Sequence, residues 1–340
     1  MRPRLSLDTE IVRENAVAWA AFAGTAIYGV VKCDGYGWGY EVMTRALERH
    51  VQRFCVADAD ELVELRKCTR LRAVILGNVA PERIPEVLEL DGDPPIRDAR
   101  DLEVLRAWAQ SAGKTAVARI GVRSAATWSG LSLEEVAELA PRLAAIGVAA
   151  ELWMHVSDLD AIAEQMQLFD EALGILKRHG VAVTATDVAS TFPLARNLRR
   201  GSAVRIGIGL FGATGGAAIS GVRCAIGFRA PVLAVQRHSA GTRMGYAGTM
   251  LGMESPVATL RSGYGDGLPA SLQGTGDVLA VGMQYAAARL TGGERNQQEY
   301  VWLDGDSSLD RFAADAGRPV HEIVTTLGNC ARAAHVQGTI

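Results

Sequence analysis

Short apolar runs rich in β-branched residues alternate with helical stretches between residues 27 and 210. The helical stretches, such as 102–112, 133–145 and 161–178, repeat apolar residues every three to four positions. Strands that are buried on both faces of a parallel sheet read as nearly continuous apolar runs. The runs predict strands at 27–32, 54–57, 73–77, 95–98, 115–122, 148–155, 181–190 and 204–210. Alternations of this kind predict an α/β fold, a (β/α)8 TIM-like barrel.

The pattern changes after about residue 212, where glycines become frequent. The segments 220–235, 257–261, 278–281 and 300–303 read as strands without long helices between them. They predict a second, mostly β domain that follows the barrel. The predicted domains are the barrel over residues 11–224 and the β-rich C-terminal domain over 225–340, to which residues 1–10 add a strand.

Composition narrows the class of protein. The net charge is −3 and no basic run stands out, which disfavours a nucleic-acid partner. The five cysteines are scattered and include no CxxC pair, which predicts a reducing compartment and no structural zinc. The uncharged stretch 16–31 is short for a membrane span and contains Gly24 and Gly29. We therefore expect a cytoplasmic protein without a membrane partner.

A lysine ends the first predicted strand, and a glycine-rich turn follows it. The run 32–39 reads Lys-Cys-Asp-Gly-Tyr-Gly-Trp-Gly. A charged amine at the end of a buried strand costs desolvation energy unless it has a partner or a task. Desolvation also favours the neutral form of an amine, which is the form that attacks an aldehyde. Barrel active sites lie at this end of the strands. By position alone, a Lys32 that merely extends to solvent is an equal alternative.

The run K-x-D-x-Y-G-x-G resembles the cofactor-lysine motif of the alanine racemase family, fold-type III enzymes that use pyridoxal phosphate (PLP). The resemblance implies that Lys32 holds PLP as a Schiff base and serves as a catalytic base. It also implies that Tyr36 hydrogen-bonds the cofactor phosphate. Trp38 stands where the family usually has histidine.

Two further segments resemble family motifs in the same order along the chain. The segment 151–158 resembles the strand that ends in T-H-F-A, which implies that His155 stacks on the pyridine ring. The segment 187–191 resembles the A-N-S-A turn, which implies that Ser190 binds the phosphate. Without the resemblance, the histidine reads as a core residue at a strand end and the serine as a helix cap.

The segment 203–212 resembles V-R-P-G-I-A-L-Y-G. The resemblance implies that Arg205 contacts the pyridine nitrogen and that the amides of Gly207 and Ile208 hold the phosphate. A permanently charged arginine disfavours protonation of that nitrogen, whereas many PLP enzymes place a carboxylate there. Racemisation through a short-lived carbanion tolerates such an arginine.

The predicted second domain carries two more similar segments. The segment 244–249 resembles the turn S-Y-G-x-T, which implies that Tyr246 is the second base and reaches the cofactor of the other subunit in a homodimer. The segment 258–269 resembles A-T-I-P-I-G-Y-A-D-G-Y-P, which implies that Tyr264 lines the entrance to the site. Racemisation needs a proton acceptor on one face of Cα and a donor on the other, and Lys32 and Tyr246 are two such groups.

The substrate side departs from the family pattern in three places. Arg119 replaces the lysine of K-x-D-T-G-M-x-R-x-G, and Trp128 stands where its carboxylate-binding arginine belongs. Arg123 is the candidate to compensate from a shifted turn. The C-M-D-Q loop is replaced by the polar segment 291–299, and the C-terminal S-x-R-V-P-R region, with its phosphate-binding tyrosine, reads L-G-N-C-A-R at 327–332.

These features predict a PLP-dependent racemase or epimerase that acts on an amino acid other than, or beyond, alanine. The alternative is another PLP reaction on the same scaffold, such as β-elimination or replacement, decarboxylation or aldol-type cleavage. A PLP-binding protein without catalysis is disfavoured, because small proteins of that kind lack a β domain. A metal is not expected, since His321 and His335 have no recognisable carboxylate arrangement around them.

Overall fold

The computed structural model describes residues 2–124, 130–246, 248–290 and 298–337. Strands and helices alternate from residue 26 to residue 206. The parallel strands are β2 (Ala26–Val30), β3 (Arg53–Val56), β4 (Ala73–Ile75), β5 (Gly92–Asp93), β6 (Val117–Val122), β7 (Ala149–Met154), β8 (Val183–Ser190) and β9 (Ala203–Ile206). The helices are α1 (Thr9–Ala23), α2 (Lys32–Tyr36), α3 (Tyr40–Leu47), α4 (Ala59–Leu65), α5 (Ile84–Glu89), α6 (Ala99–Ala112), α7 (Leu133–Ile146), α8 (Ile162–Arg178) and α9 (Thr191–Ala195).

The eight strands form one parallel sheet in the order β5-β4-β3-β2-β9-β8-β7-β6. A parallel bridge between Pro95 and Arg119 joins its two ends, and the Ile96 amide donates to the Arg119 carbonyl at 2.9 Å. The predicted (β/α)8 TIM-like barrel is therefore confirmed. The strand predicted at 95–98 is reduced to this bridge, because proline has no amide hydrogen for a ladder.

A second, antiparallel sheet follows the barrel. Its strands are β1 (Arg4–Leu7), β10 (Ile226–His238), β13 (Ser255–Leu260), β14 (Val278–Val281), β15 (Ala286–Arg289) and β16 (Glu299–Leu303), and β11 (Arg243–Met244) pairs with β12 (Thr249–Met250) in a separate hairpin. β10 is central, because β1, β13 and β16 all pair with it. Phe54, Phe211 and Phe228 belong to one buried cluster, so the apolar core continues from the barrel into this sheet.

The second part of the chain differs from prediction in its details. The strand predicted at 220–235 begins at Ile226 and continues to His238. β15 was not predicted, because its Ala-Ala-Ala-Arg sequence has low β propensity and pairs only in the context of β13 and β14. Two C-terminal helices, α10 (Leu309–Asp315) and α11 (Val320–Gln337), were also missed. The exact boundary between the domains stays a prediction.

Two further observations concern the chain as a whole. In the described residues, none of the helices combines the length and apolarity that crossing a bilayer requires. All five cysteines are free thiols. The cytoplasmic location stays a prediction.

The interior of the barrel contains a network of charged side chains. Asp187 on β8 forms ion pairs with Arg205 on β9 and with Arg119 on β6, the latter at 2.8 Å. Arg119 also lies 3.4 Å from Glu151, which Arg53 contacts at 2.7 Å. Burial lowers the pKa of Arg119 and lowers that of Arg205 to about 10. Because isolated buried charges are costly, the shared carboxylate is what makes two adjacent buried arginines tolerable.

Helix α11 packs directly on the turn that follows Lys32. A Cβ on Gly328 would lie 2.7 Å from the Tyr36 carbonyl oxygen and 2.8 Å from the Gly37 carbonyl carbon. A Cβ on Gly37 would in turn lie 2.8 Å from the Thr325 carbonyl oxygen. The two glycines therefore allow a backbone-to-backbone contact that a side chain at either position would separate.

We expect Gly328→Ala to lower the free energy of unfolding by about 1–3 kcal/mol, because the methyl group would meet backbone atoms that cannot move aside. Urea unfolding followed by circular dichroism measures the change. Gly174→Ala in the middle of α8 is the matched control, since its Cβ would meet only the end of the Arg178 side chain. That variant should be stabilised by roughly 0.5–1 kcal/mol. Equal stabilisation of both variants would contradict the tight contact at Gly328.

Asp187→Asn should destabilise the protein by about 3 kcal/mol or more, because it leaves two buried guanidinium groups without their shared carboxylate. Thermal and urea unfolding at neutral pH measure the loss. The control is Asp170→Asn, which removes an exposed pair with Arg200 and should cost no more than about 1 kcal/mol. A loss at Asp187 no larger than that at Asp170 would show that the network contributes little.

Candidate active site

A cavity of about 390 Å³ lies at the carboxyl ends of the barrel strands. The strands β2, β7, β8 and β9 end around it and deliver their following residues to its wall. All of the predicted cofactor-binding residues line this one cavity: Lys32, Tyr36, His155, Ser190, Arg205, Gly207 and Ile208. Residues that are up to 176 positions apart in sequence are thus brought together where a barrel places its active site.

The turn after Lys32 has an unusual backbone. Cys33, Asp34, Gly35 and Tyr36 all have φ between 51° and 63°, so α2 is a single left-handed turn. Such a conformation costs energy for residues with a Cβ, and runs of this kind persist only where the surroundings hold them. The Glu61 carboxylate accepts hydrogen bonds from the amides of Cys33 and Ala57, both at 2.7 Å.

The same turn is held from its other side by Asp34. Its carboxylate accepts a hydrogen bond from the Tyr40 amide at 2.7 Å and forms an ion pair with Arg332 of α11. Lys32 itself is partly buried and lines the cavity. In the described part of the chain, no carboxylate forms an ion pair with Lys32. Its amine is therefore directed to the cavity without a protein counter-ion.

Tyr36 and Gly207 lie against each other at one end of the cavity wall, next to the Lys32 turn. The Tyr36 ring is buried and packs edge-to-face on Phe211 with centroids 5.3 Å apart. A Cβ on Gly207 would lie only 2.3 Å from the Tyr36 hydroxyl oxygen, so no other residue fits at 207 beside this hydroxyl. Burial raises the pKa of Tyr36 far above its ordinary value. The hydroxyl therefore remains protonated and is available as a hydrogen-bond donor.

Arg205 is fixed in a second part of the wall. Its guanidinium donates to the carbonyl oxygens of Asp187 at 3.1 Å and Met154 at 2.6 Å, in addition to the ion pair with the Asp187 carboxylate. Its Cζ lies 5.4 Å from the centroid of the Trp153 ring. With a pKa of about 10, the group remains a cation at neutral pH and can present fixed positive charge to a ligand.

His155 and Ser190 stand at the ends of neighbouring strands. Although His155 is open to the cavity, the surrounding protein desolvates its ring, and Arg205 and Lys32 add positive charge beside it. These effects lower the pKa of His155 to about 4, so the ring is neutral at pH 7. Ser190 is the last residue of β8, and the adjacent Thr191 hydroxyl accepts from the Gly209 amide at 3.3 Å.

Arg123, Tyr264 and the predicted second base, Tyr246, do not line this cavity in the single chain. Arg123 pairs with Glu135 at 2.8 Å and donates to the Gly130 carbonyl oxygen. Tyr264 is half exposed and lines a different, shallow cavity. Tyr246 is completely exposed. Trp128 lies outside the described residues, as does most of the segment 291–299.

Trp153 and His321 are among the lining residues of the cavity that were not predicted. Trp153 lies near both Arg119 and Arg205, whose Cζ atoms are 5.5 and 5.4 Å from its ring centroid. His321 reaches the cavity from the start of α11. Successive side chains of a strand point to opposite faces, so the position of Trp153 in β7 indicates the face that it occupies. No sequence motif marks His321, because only the packing of α11 brings this residue to the barrel.

Comparison with known proteins agrees with this geometry. Residues 7–215 match the family model "Alanine racemase, N-terminal domain", and residues 225–335 match "Alanine racemase, C-terminal domain". The chain is 26% identical over 357 residues to a protein of Agrobacterium fabrum named "Alanine racemase, catabolic", with 98% of this chain and 92% of that protein covered.

Solved structures show the same fold. The alanine racemase of Acinetobacter baumannii is 19% identical, with a TM-score of 0.82 and 96% of this chain and 97% of that chain covered. The alanine racemase of Bartonella henselae, solved with covalently bound pyridoxal phosphate, is 20% identical, with a TM-score of 0.79 and 97% and 98% covered. Since the two family models together span both sheets of the molecule, the chain belongs to the alanine racemase family.

Proposed function

We propose that this protein is a PLP-dependent amino-acid racemase that transfers a proton between the two faces of a substrate Cα with Lys32 and Tyr246. The observation that carries the proposal is one amine, Lys32, in a cavity that it shares with Arg205, His155 and Tyr36. The family of the chain, and the PLP bound in the Bartonella henselae relative, support the same cofactor.

The cavity wall suits a phosphorylated aromatic aldehyde. Lys32 and Arg205 supply positive charge, and neither Asp nor Glu occurs among the described lining residues. The protonated Tyr36 hydroxyl lies against the Gly207 backbone, where no side chain fits. The volume is within the range of small-molecule sites. Lys32 would attach the cofactor covalently. The groups assigned to its phosphate are Tyr36, Ser190 and the amides of Gly207 and Ile208.

PLP, when bound, withdraws electrons from the amino acid attached to it and so acidifies the Cα–H bond. Arg205 would place its fixed charge beside the ring nitrogen and so disfavour protonation there. The negative charge that would develop at Cα when its proton leaves would then be stabilised less strongly. Rapid return of a proton is favoured under these conditions, which supports racemisation over reactions that need a long-lived carbanion.

The two faces of Cα require two proton-transfer groups. The Lys32 Nζ would remove or return the proton on one face, and the Tyr246 hydroxyl would do so on the other. Because Tyr246 is fully exposed in the single chain, we assign it to the cavity of a second copy of this chain. Other apolar side chains of the second domain are also at least half exposed: Met250, Met253, Tyr264, Met283 and Tyr285. A surface of this kind supports a homodimer with shared active sites.

The substrate is proposed to be an amino acid other than, or in addition to, alanine. Neither Arg119 nor Arg123 lines the cavity: Arg119 is enclosed by Asp187 and Glu151, and Arg123 is paired with Glu135. The carboxylate of the substrate must therefore be held by other groups than these two. The same observation leaves a second candidate function, in which the chain catalyses another PLP reaction such as β-elimination, decarboxylation or aldol-type cleavage.

Lys32→Ala should lower the exchange of the Cα proton with deuterated solvent by at least about a hundredfold, because it removes one of the two proton-transfer groups. Mass spectrometry of a panel of amino acids incubated with the PLP-loaded protein measures the exchange, and chiral chromatography measures racemisation. Borohydride treatment of the wild type should yield a modified peptide that contains Lys32. Lys177→Ala, which removes an exposed lysine at the end of α8, is the control and should retain both properties.

The proposal fails if the wild-type protein, supplied with PLP, gives neither a visible absorbance band nor a trapped peptide at Lys32. Release of pyruvate, ammonia, carbon dioxide or an aldehyde without loss of optical purity would favour the second candidate function instead.

Inactive Lys32→Ala and Tyr246→Phe chains should restore activity when they are mixed and allowed to exchange subunits. Half of the dimers are then mixed, and each mixed dimer holds one intact site, so about a quarter of the sites recover. Racemisation rate as a function of mixing ratio measures the recovery. Mixing Lys32→Ala with itself is the control. Absence of recovery, in a population shown to have exchanged subunits, would overturn the shared site.

A further inference from the structure

His321 is a residue of the candidate active site that comes from outside the barrel. It lies in the first turn of α11, the 18-residue helix near the end of the chain. Among the described residues that line the cavity, all others lie at or before position 208. The contacts of α11 with the Lys32 turn, through Gly328 and through the pair between Arg332 and Asp34, fix where this ring stands.

The ring of His321 stands beside Tyr36 and Phe192 in the cavity wall. Its centroid is 6.3 Å from that of Tyr36, whose hydroxyl lies against Gly207. It is also 5.9 Å from the centroid of Phe192, two positions after Ser190. His321 is therefore bracketed by the two segments that carry the side chains assigned to the cofactor phosphate.

The surroundings of His321 favour an anion rather than a cation. The titratable groups around the ring are Lys32 and Tyr36 on the turn and His155 at the end of β7. The ring is open on the cavity side, but the surrounding protein desolvates it and Lys32 adds positive charge nearby. Desolvation first, and then the charge of Lys32, lower the pKa of His321. A neutral imidazole still offers one N–H donor. A doubly negative phosphate beside it would favour its protonated form and a charge-assisted hydrogen bond.

We propose that His321 donates a hydrogen bond to the phosphate of PLP and so makes α11 part of the cofactor-binding site. This inference rests on the proposed function, since it requires the cofactor to occupy the cavity with its phosphate at the end formed by Tyr36, Ser190 and Gly207. His321 is assigned to binding rather than to proton transfer, because the bracketing residues Tyr36 and Phe192 place it at that end.

The test compares two ligands that differ only in the phosphate. Full-length protein freed of cofactor is titrated with PLP and with pyridoxal, and the dissociation constants are obtained from absorbance and fluorescence. His321→Ala should weaken PLP binding by about ten- to a hundredfold, the effect of one hydrogen bond to a charged group, and should leave pyridoxal binding unchanged. His321→Gln, which keeps an N–H donor, should lose less affinity for PLP than His321→Ala.

The matched control is Glu322→Gln, one position along the same helix turn, whose side chain pairs with Arg318 outside the cavity. It should bind both ligands as the wild type does. In the loaded proteins, the phosphorus resonance of bound PLP should shift on His321→Ala and stay in place in the control. Circular dichroism and urea unfolding establish that each variant is folded.

Equal weakening of PLP and pyridoxal binding would overturn the inference, because it would indicate a packing role for the ring. Unchanged affinity with a lower racemisation rate would also overturn it and would indicate proton transfer by His321. If the wild type binds no PLP at Lys32, the proposed function fails as well. If the wild type binds PLP and the variants match it, the inference about His321 fails alone.

Discussion

The left-handed turn after β2 is the constraint on which the rest of the site depends. Of its positive-φ residues, only Gly35 adopts that backbone without a steric cost, and for other residues the left-handed conformation costs roughly 1–2 kcal/mol each. The cost is offset by contacts at both ends of the turn, from Glu61 on one side and from α11 on the other. With this backbone, Lys32 lines the cavity and the Tyr36 hydroxyl lies against Gly207.

A second constraint comes from charge in the barrel interior. Arg205 faces the cavity, and Arg119 lies beside it, within a region where neither cation would be tolerated alone. Asp187 lies between them and compensates both. This arrangement pairs Arg205 with a buried carboxylate. It also holds Arg119 in ion pairs with Asp187 and Glu151, and Arg119 does not line the cavity. Asp187 thus contacts both Arg205, which is assigned to the cofactor, and Arg119, which replaces the lysine of the family motif.

Much of this could be predicted from sequence, and the failures have physical reasons. The barrel strands are apolar runs that follow from burial on both faces, so they could be predicted. The resemblance to family motifs led to residues that the structure places around one cavity, and their roles stay a prediction. β15 could not be predicted, because Ala286–Arg289 forms a strand only through its pairing partners. α11 could not be predicted either, because its β-branched residues and Gly328 have low helix propensity. Gly328 is nevertheless the residue that lets α11 pack closely on the Lys32 turn. His321 was missed together with the helix that carries it.

The division of the site between two parts of the chain has a consequence for specificity. The groups assigned to the cofactor lie on strand ends and on the turn after β2, which the core and the charge network hold in place. Two of the departures from the family pattern lie at other positions in the sequence, at Trp128 and in the segment 291–299. Substitutions at these positions replace none of the residues assigned to the cofactor. Under the proposed function, the contacts to the substrate can therefore change while the cofactor-binding residues and Lys32 and Tyr246 are retained.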